Sequence, residues 1–412
     1  MTDVADRGRR ASFGFIFALA LMNSISFGIM IPILPQVVKE LAGGDTASAS
    51  VWNAVFAACW GLMQFVCGPI LGMFSDRFGR RPVLLLSLFG LGVDFLFMAF
   101  APTLGWLLVG RLLNGATAAS FSTANAYLAD VTPPDQRAKV FGWMGSAFSF
   151  GFIIGPSIGG FLGEYDLRLP FLAAAALTFA NWLYGFFVLP ESLPAERRAR
   201  VYDWKRANPV GALRLLRSRL GLLPLAFVGF LFQISHVVLP TIFVLYTTHR
   251  YGWSPGILGL TFLLTGVLGV ITQIFLVGPT VARIGERNTL LIGLAAGAAG
   301  FAWYGWADTG WLYLLGAPVF ALSGFIMPGL QGLMTRKVEP HEQGQLQGAN
   351  QSLSGIGSIV GPPLFGFVYA WSLRGGHPEG LAIWLAGAML IAALGLAFAA
   401  ARAPARAAQP AG

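Results

Sequence analysis

Gly72-Met73-Phe74-Ser75-Asp76-Arg77-Phe78-Gly79-Arg80-Arg81 sets one acid, three arginines and two glycines between two long apolar runs. A stretch so charged is costly inside hydrocarbon, so it predicts a tight water-side turn joining two membrane-crossing helices. Glycine lets the backbone bend sharply or approach a neighbour closely. Pro82 opens the next run at a position where its missing N–H is no loss. Two readings stand side by side. The turn is an ordinary positive-inside loop, or Gly72, Asp76, Arg77, Gly79, Arg80 and Arg81 form a gate or latch that pairs with adjoining helix ends.

The same pattern returns 206 residues later, an offset of half the 412-residue chain. Gly72, Arg77, Gly79 and Arg81 map onto Gly278, Arg283, Gly285 and Arg287. The offset also carries Gly155-Pro156 to Gly361-Pro362, Pro134 to Pro340 and Gly142 to Gly348. Such self-similarity predicts a duplicated architecture, as in membrane proteins built from repeated halves.

Composition agrees with a membrane protein. Apolar residues make up 56% and charged residues 11%, and mean hydropathy is +0.67. Soluble domains carry roughly 25% charged residues. Cys59 and Cys67 lie in one apolar run, which implies no disulfide framework. Arg7, Arg9 and Arg10 precede an apolar run of span length that leads into Ile31-Pro32-Ile33-Leu34-Pro35 without a convincing cleavage motif, so it reads as a retained first helix.

Hydropathy predicts twelve spans, near residues 11–32, 51–71, 82–101, 104–129, 139–161, 168–189, 220–246, 255–277, 288–307, 310–335, 344–370 and 379–401. With the N-terminus inside, only Lys39, Arg168, Arg250 and Arg374 fall in outer loops, Arg111 lies within a span, and the other 22 of the 27 basic residues face inward. That asymmetry predicts cytoplasmic termini in the inner membrane, and it removes nucleic acid as the reason for the net charge of +9. The expected organisation is a six-span half at 1–189, a cytoplasmic central loop at 190–219 and a six-span half with a short tail at 220–412. The loop carries eight Lys or Arg, Arg197-Arg198, Arg214 and Arg217 among them. It reads as a solvated linker or as a surface-lying amphipathic helix.

Ionisable residues are almost absent from the spans. Asp94 in the third and Arg111 in the fourth each lie about 10 Å from the outer end of antiparallel neighbours, close enough in depth to meet. An intramembrane acid beside an arginine belongs to a proton or ion path, or else pins two helices together. Asn114, Thr117, Phe121 and Asn125 form an inward stripe. Gln347, Asn350, Gln351 and Ser354 share one face of the eleventh span. Together with Asn23, Gln64, Gln233 and His236 these outline a cavity for a large, partly apolar molecule, or a set of interhelical hydrogen bonds. Gly151, Gly155 and Gly159 repeat every four residues, and Pro156 kinks the same helix. That pattern suits a gating helix or a close packing contact. No phosphate-cradling glycine–lysine loop, metal-ligand cluster or water-side nucleophilic set is present, which argues against an ATP-driven pump and against an enzyme.

These motifs resemble the major facilitator superfamily along the whole chain. Gly72 to Arg81 resembles its loop between helices 2 and 3, Arg111 with Gly115 its helix 4 motif, and Gly151 to Gly160 the helix 5 motif of drug–proton antiporters. Asp76 to Leu85, Ala126-Tyr127-Leu128-Ala129-Asp130, Leu189-Pro190-Glu191-Ser192 and Gly344-Gln345-Leu346-Gln347-Gly348 are similar to the twelve-helix tetracycline exporters. The resemblance implies an all-α membrane protein of two six-helix halves with proton-driven export by alternating access. It further implies no cofactor, and a divalent metal only within a substrate chelate. It implies Asp94 and Arg111 as the coupling pair. Tetracycline exporters carry further ionisable groups where this chain has Asn23, Gly269 and Gly297. That departure favours export of another drug or a metabolite as an alternative, beside a non-transporting membrane sensor.

Overall fold

The computed structural model describes residues 2–118, 120–133, 136–194, 196, 198, 216, 221–339 and 342–400. Most of the 190–219 loop, Arg197, Arg214 and Arg217 among it, lies outside the described residues, as do Pro134, Pro340 and the tail after 402.

Every regular element among the described residues is helical. The first part of the chain forms α1 (Thr2–Met30), α2 (Leu34–Leu41), α3 (Thr46–Phe78), α4 (Arg80–Phe100), α5 (Leu104–Thr117), α6 (Ser120–Val131), α7 (Arg137–Gly163) and α8 (Leu169–Val188). The second part forms α9 (Leu222–Tyr251), α10 (Pro255–Ile271), a π turn at Thr272–Leu276, α11 (Val277–Trp306), α12 (Gly310–Leu315), α13 (Ala317–Ala321), a 3-10 turn at Leu322–Phe325, α14 (Ile326–Thr335), α15 (Gln343–Arg374) and α16 (Leu381–Ala400). Ten helical runs among these are long and apolar enough to cross a bilayer.

Two segments depart from the twelve expected spans for local reasons. Pro255–Trp306 is one apolar run of 52 residues, divided within α11 by Gly285 at φ 78° and ψ 166°. Residues 104–131 break at Ala118 (ψ 68°) into α5 and α6, each too short to span alone. The turn at 72–81 is also tighter than a loop. Helix continues to Phe78 and restarts at Arg80, so the chain reverses at Gly79 alone, whose φ of 109° suits only glycine. Gly72 faces open space.

Large apolar side chains face outward, and the mainly apolar interior also shelters polar and charged groups. Phe100 and Phe187 are 71% and 78% exposed, while Asn53, Asp94, Arg111, Asn114 and Asn181 are buried. This sheltering of polar groups is what lipid demands, since a lipid-facing polar group would find no partner. Asn181 Nδ2 donates to the Leu19 carbonyl at 3.0 Å, one example of an interior amide spent on backbone.

The described residues fall into two compact units. One comprises Met1–Ala207, Pro240–Gly266 and Pro362–Ala370. Within it α1 lies against α7 with backbones almost touching. A Cβ on Gly28 would stand 3.0 Å from the Gly151 oxygen and from Gly155 Cα, and one on Gly155 would stand 2.7 Å from the Ile25 oxygen. The glycine stripe at 151, 155 and 159 therefore seats α1. The neighbouring face of α7 meets α10. Ser157 Oγ donates to the Gly259 carbonyl at 3.2 Å, and Glu164 Oε1 accepts the Gly256 N–H at 2.7 Å. Ser50 Oγ donates to the Gly366 carbonyl at 2.9 Å in the same unit.

The other unit comprises Asn208–Leu239, Val267–Gly361 and Trp371–Gly412. Here α11 packs through small residues as well: a Cβ on Gly329 would stand 2.8 Å from the Leu290 nitrogen.

Both units carry an ion pair at repeat-related positions. Arg80 Nε binds Asp130 Oδ2 at 3.1 Å in the first, and Arg336 Nη2 binds Glu286 Oε1 in the second. Glu286 and Arg336 stand 206 residues beyond Arg80 and Asp130, so the repeat keeps the pair and exchanges the signs. The left-handed glycines Gly79 and Gly285 obey the same offset.

Gly155→Val is expected to force α1 and α7 apart, since overpacking a close contact costs about 1–3 kcal/mol or more. Its thermal unfolding midpoint in detergent should fall well below that of wild type. Gly142→Ala, where a Cβ meets nothing within 4 Å, should hold or raise the midpoint.

Candidate functional site

Asp94 and Arg111 meet as anticipated from their depths. Arg111 Nη2 binds Asp94 Oδ2, with the carboxylate side chain 0% and the guanidinium side chain 6% exposed. The site is built from three helical features. Asp94 projects from α4, Arg111 from α5, and Gly110 leaves room between them, because a Cβ there would lie 2.7 Å from Asp94 Oδ1. Met98, one turn beyond Asp94, offers its sulfur to Arg111 Nη2 at 3.6 Å. Asp94 Oδ1 and Arg111 Nε remain buried without a protein partner among the described residues. The pair is thus incompletely satisfied by protein groups among the described residues.

A cavity of about 330 Å³ opens one turn from this pair. Leu91 and Asn114 line it, each three residues from Asp94 and Arg111 on the same helices. Asn23 and Gln64 complete the amide side. Phe27, Trp60, Phe148 and Phe152 supply aromatic walls, with Phe27 and Phe152 centroids 5.7 Å apart and Phe148 and Phe152 4.5 Å apart. Trp60 Nε1 donates to Asn114 Oδ1 at 2.6 Å and ties the aromatic side to α5. No ionisable side chain is among the described residues of the lining. Walls of this kind suit a flat, largely apolar molecule with a few hydrogen-bonding groups.

The remaining expected cavity residues divide. Gln233 and Asn350 line a small space in the second unit with Gln331 and Ser354. His236 and Gln351 line neither cavity. The His236 ring sits among Phe232, Phe301 and Phe320, at centroid distances of 4.1, 5.7 and 5.4 Å. Its Nδ1 faces the Phe232 carbonyl at 3.2 Å and its Nε2 the Ser323 hydroxyl at 3.4 Å. It is a half-buried histidine packed among aromatic rings, with a polar contact at each ring nitrogen. Repeat arithmetic links the two spaces: Asn23, Ser24, Phe27 and Phe148 of the first correspond to Gly229, Phe230, Gln233 and Ser354 of the second.

The arginine turn gathers more partners than its own residues announce. Arg80 Nη1 contacts Asp76 Oδ1 at 2.5 Å and Ser75 Oγ at 3.1 Å, while its Nε reaches Asp130. Glu191, from beyond α8, caps the start of α4: Oε1 accepts the Arg80 N–H at 2.8 Å and Oε2 the Arg81 N–H at 3.2 Å. Arg81 Nη2 donates to the Phe186 carbonyl at 2.5 Å. Arg77 stands over the Phe78 ring at 5.5 Å. Asp130 and Glu191 occur in stretches already notable for their resemblance, but their roles needed the fold. Gly110 and Trp60 carried no sequence signal beyond their residue type.

The sequence pattern of the Major Facilitator Superfamily matches residues 16–362 and 225–412. The chain is 37% identical to the class C tetracycline resistance protein of Escherichia coli, over 91% of this chain and 93% of that one. It is 36% identical to the class G tetracycline resistance protein of Vibrio anguillarum, over 90% and 92%. The crystal structure of the nucleoside transporter NupG shares the fold at a TM-score of 0.76 and 15% identity, covering 94% of this chain and 98% of that one.

Removing one partner of a buried ion pair strands the other, at a cost of about 3–5 kcal/mol, whereas replacing both by apolar groups is often neutral. Arg111→Met alone should therefore depress the unfolding midpoint strongly. Asp94→Leu combined with Arg111→Met should recover most of that loss, as read by thermal unfolding of purified protein.

Proposed function

The chain belongs to the major facilitator superfamily, and from that premise we propose that it exports a hydrophobic, drug-like compound of tetracycline type from the cell in exchange for protons. The observation that carries this reading is the buried Asp94–Arg111 pair one helical turn from an amide-and-aromatic cavity. The protein is a multi-pass membrane transporter rather than an enzyme. Counting the Pro255–Trp306 run as two spans divided at Gly285, and α5 with α6 as one, brings the ten apolar runs to twelve. We place both termini on the cytoplasmic side of the inner membrane, with halves at 1–189 and 220–412 joined by the 190–219 loop. The proton gradient supplies the energy without a cofactor, and a divalent cation enters only as part of a substrate chelate.

In this mechanism Asp94 carries the proton. While ionised it holds Arg111. Once protonated it no longer offers a full charge, and Arg111 seeks acceptors elsewhere along α5. Asn114 lies one turn from Arg111 and holds Trp60, so a shift of the guanidinium is felt at the cavity wall. Substrate release and proton uptake are thereby coupled through α5. The contacts of the arginine turn, from Asp76 through Arg80 to Asp130, act as a latch at one end of the bundle. Gly155 and Pro156 shape the gating helix.

A second reading, export of a different uncharged drug or a metabolite, is favoured by the absence of ionisable groups from the described cavity lining. A non-transporting sensor would show no flux at all. Inverted membrane vesicles energised by respiration separate the three. Addition of tetracycline with magnesium is expected to collapse part of the proton gradient in wild type and to have no effect in Asp94→Asn. Collapse with an uncharged hydrophobic drug but not with tetracycline would keep the antiporter and change its substrate. An unimpaired response in Asp94→Asn would remove Asp94 from the coupling.

A further inference from the structure

A groove of about 560 Å³ runs along the outer surface between α11 and α16. Leu291, Ile292 and Ala295 form one wall, and Ile391, Leu394 and Phe398 the other. Gly395 lies in the groove, and a Cβ there would meet nothing within 4 Å. Ile391 is 61% exposed, so the groove faces the surroundings and not the bundle interior. From Arg287 to Ala295 the α11 wall is about 12 Å long.

Arg287 closes one end, its guanidinium carbon 5.8 Å from the Phe398 ring centroid. Its Nε is buried and has no protein partner among the described residues. Arg283 is exposed on the preceding turn. A half-buried cation at the mouth of an apolar groove has a charge to match, and the repeat shows what the match looks like. At the corresponding turn of the first half, Glu191 supplies the anion. A Cβ on Gly79 would stand 2.6 Å from its Cδ, and its two oxygens take the N–H groups of Arg80 and Arg81. In the second half Glu191 corresponds to Ala397, beside Phe398. A Cβ on Gly285 meets nothing within 4 Å. The nearby carboxylate, Glu286, is engaged by Arg336. Among the described residues, the second half therefore repeats the cationic turn without repeating its internal anion.

We propose that this groove binds an acidic phospholipid, with its phosphate on Arg287 and the Gly285 turn and one acyl chain along the groove to Ala295 and Ile391. The charge recognises the headgroup, and the apolar walls recognise the chain. The site lies beside the Gly285 turn with its Arg283 and Arg287, the kind of basic cluster that an anionic membrane surface attracts. It is independent of the substrate cavity, which belongs to the other unit.

The test titrates purified full-length protein in detergent with phosphatidylglycerol and with phosphatidylcholine of identical chains, counting bound lipid by native mass spectrometry. Wild type is expected to retain phosphatidylglycerol at concentrations at least tenfold below those needed for phosphatidylcholine. Arg287→Gln should erase that preference. Gly395→Leu, which adds side chain where nothing stands, should lower retention of both lipids while leaving helicity and elution volume unchanged. Equal retention of the two lipids by wild type would overturn the proposal, as would a preference that survives Arg287→Gln. Displacement of the lipid by inorganic phosphate alone would mark a free-anion site and overturn the acyl-chain part. A dimer that buries this face and retains no lipid would replace the lipid with a second copy of the chain.

Discussion

A charge in hydrocarbon must bring its own counter-charge, and Asp94 with Arg111 shows how much of a helix bundle that requirement organises. The guanidinium cannot reach the carboxylate unless α4 and α5 approach at Gly110, where any side chain would strike Asp94 Oδ1. Met98 then fills the space beside the ion pair with a soft, polarisable sulfur. What remains is a pair whose second carboxylate oxygen and Nε have no protein partner among the described residues. The same constraint explains the cavity, for neutral amides at Asn23, Gln64 and Asn114 offer hydrogen bonds without the desolvation burden of further charges.

The two halves show how a duplicated sequence diverges under one set of physical rules. Both reverse direction at a left-handed glycine, and both brace that turn with an ion pair to the same partner position. Conserved geometry with exchanged sign means that attraction across the turn matters and polarity does not. Divergence is larger where chemistry is specific. Phe27 and Phe148 correspond to Gln233 and Ser354, so an aromatic space in one half has an amide-and-hydroxyl space as its counterpart. Glu191 has no acidic counterpart, which leaves Arg287 in a different setting from Arg81.

Much of this was legible in the residues. Hydropathy and the 206-residue offset marked the helical runs and the two related turns, because lipid imposes so uniform a pattern on whatever crosses it. The depths of Asp94 and Arg111 placed them together before any fold was in hand, since antiparallel neighbours of known rise leave little freedom. The extent of the turn was not legible. Charged residues at 76, 77, 80 and 81 read as loop, yet they ride on helix ends that project past the apolar runs, and only Gly79 breaks the helix. The break at Ala118 was equally hidden, since Gly115 and Thr117 only weaken a helix and do not by themselves end one.

Polar side chains at similar depths can have quite different neighbours, as His236 and Gln233 show. They lie three residues apart on α9, close to one face, yet Gln233 lines a cavity and His236 is enclosed by Phe232, Phe301 and Phe320. Two of those rings come from sequence far beyond α9, so no window around His236 contains the information. Glu191 makes the same point from the opposite direction. Its role as a helix cap depends on α8 ending beside the start of α4, a distance of 111 residues along the chain. Periodicity assigns a residue to a face, but the neighbour on that face is chosen by packing. In a bundle whose mainly apolar interior holds scattered polar groups, that choice decides whether an amide or imidazole meets a cavity, a backbone carbonyl or an aromatic ring.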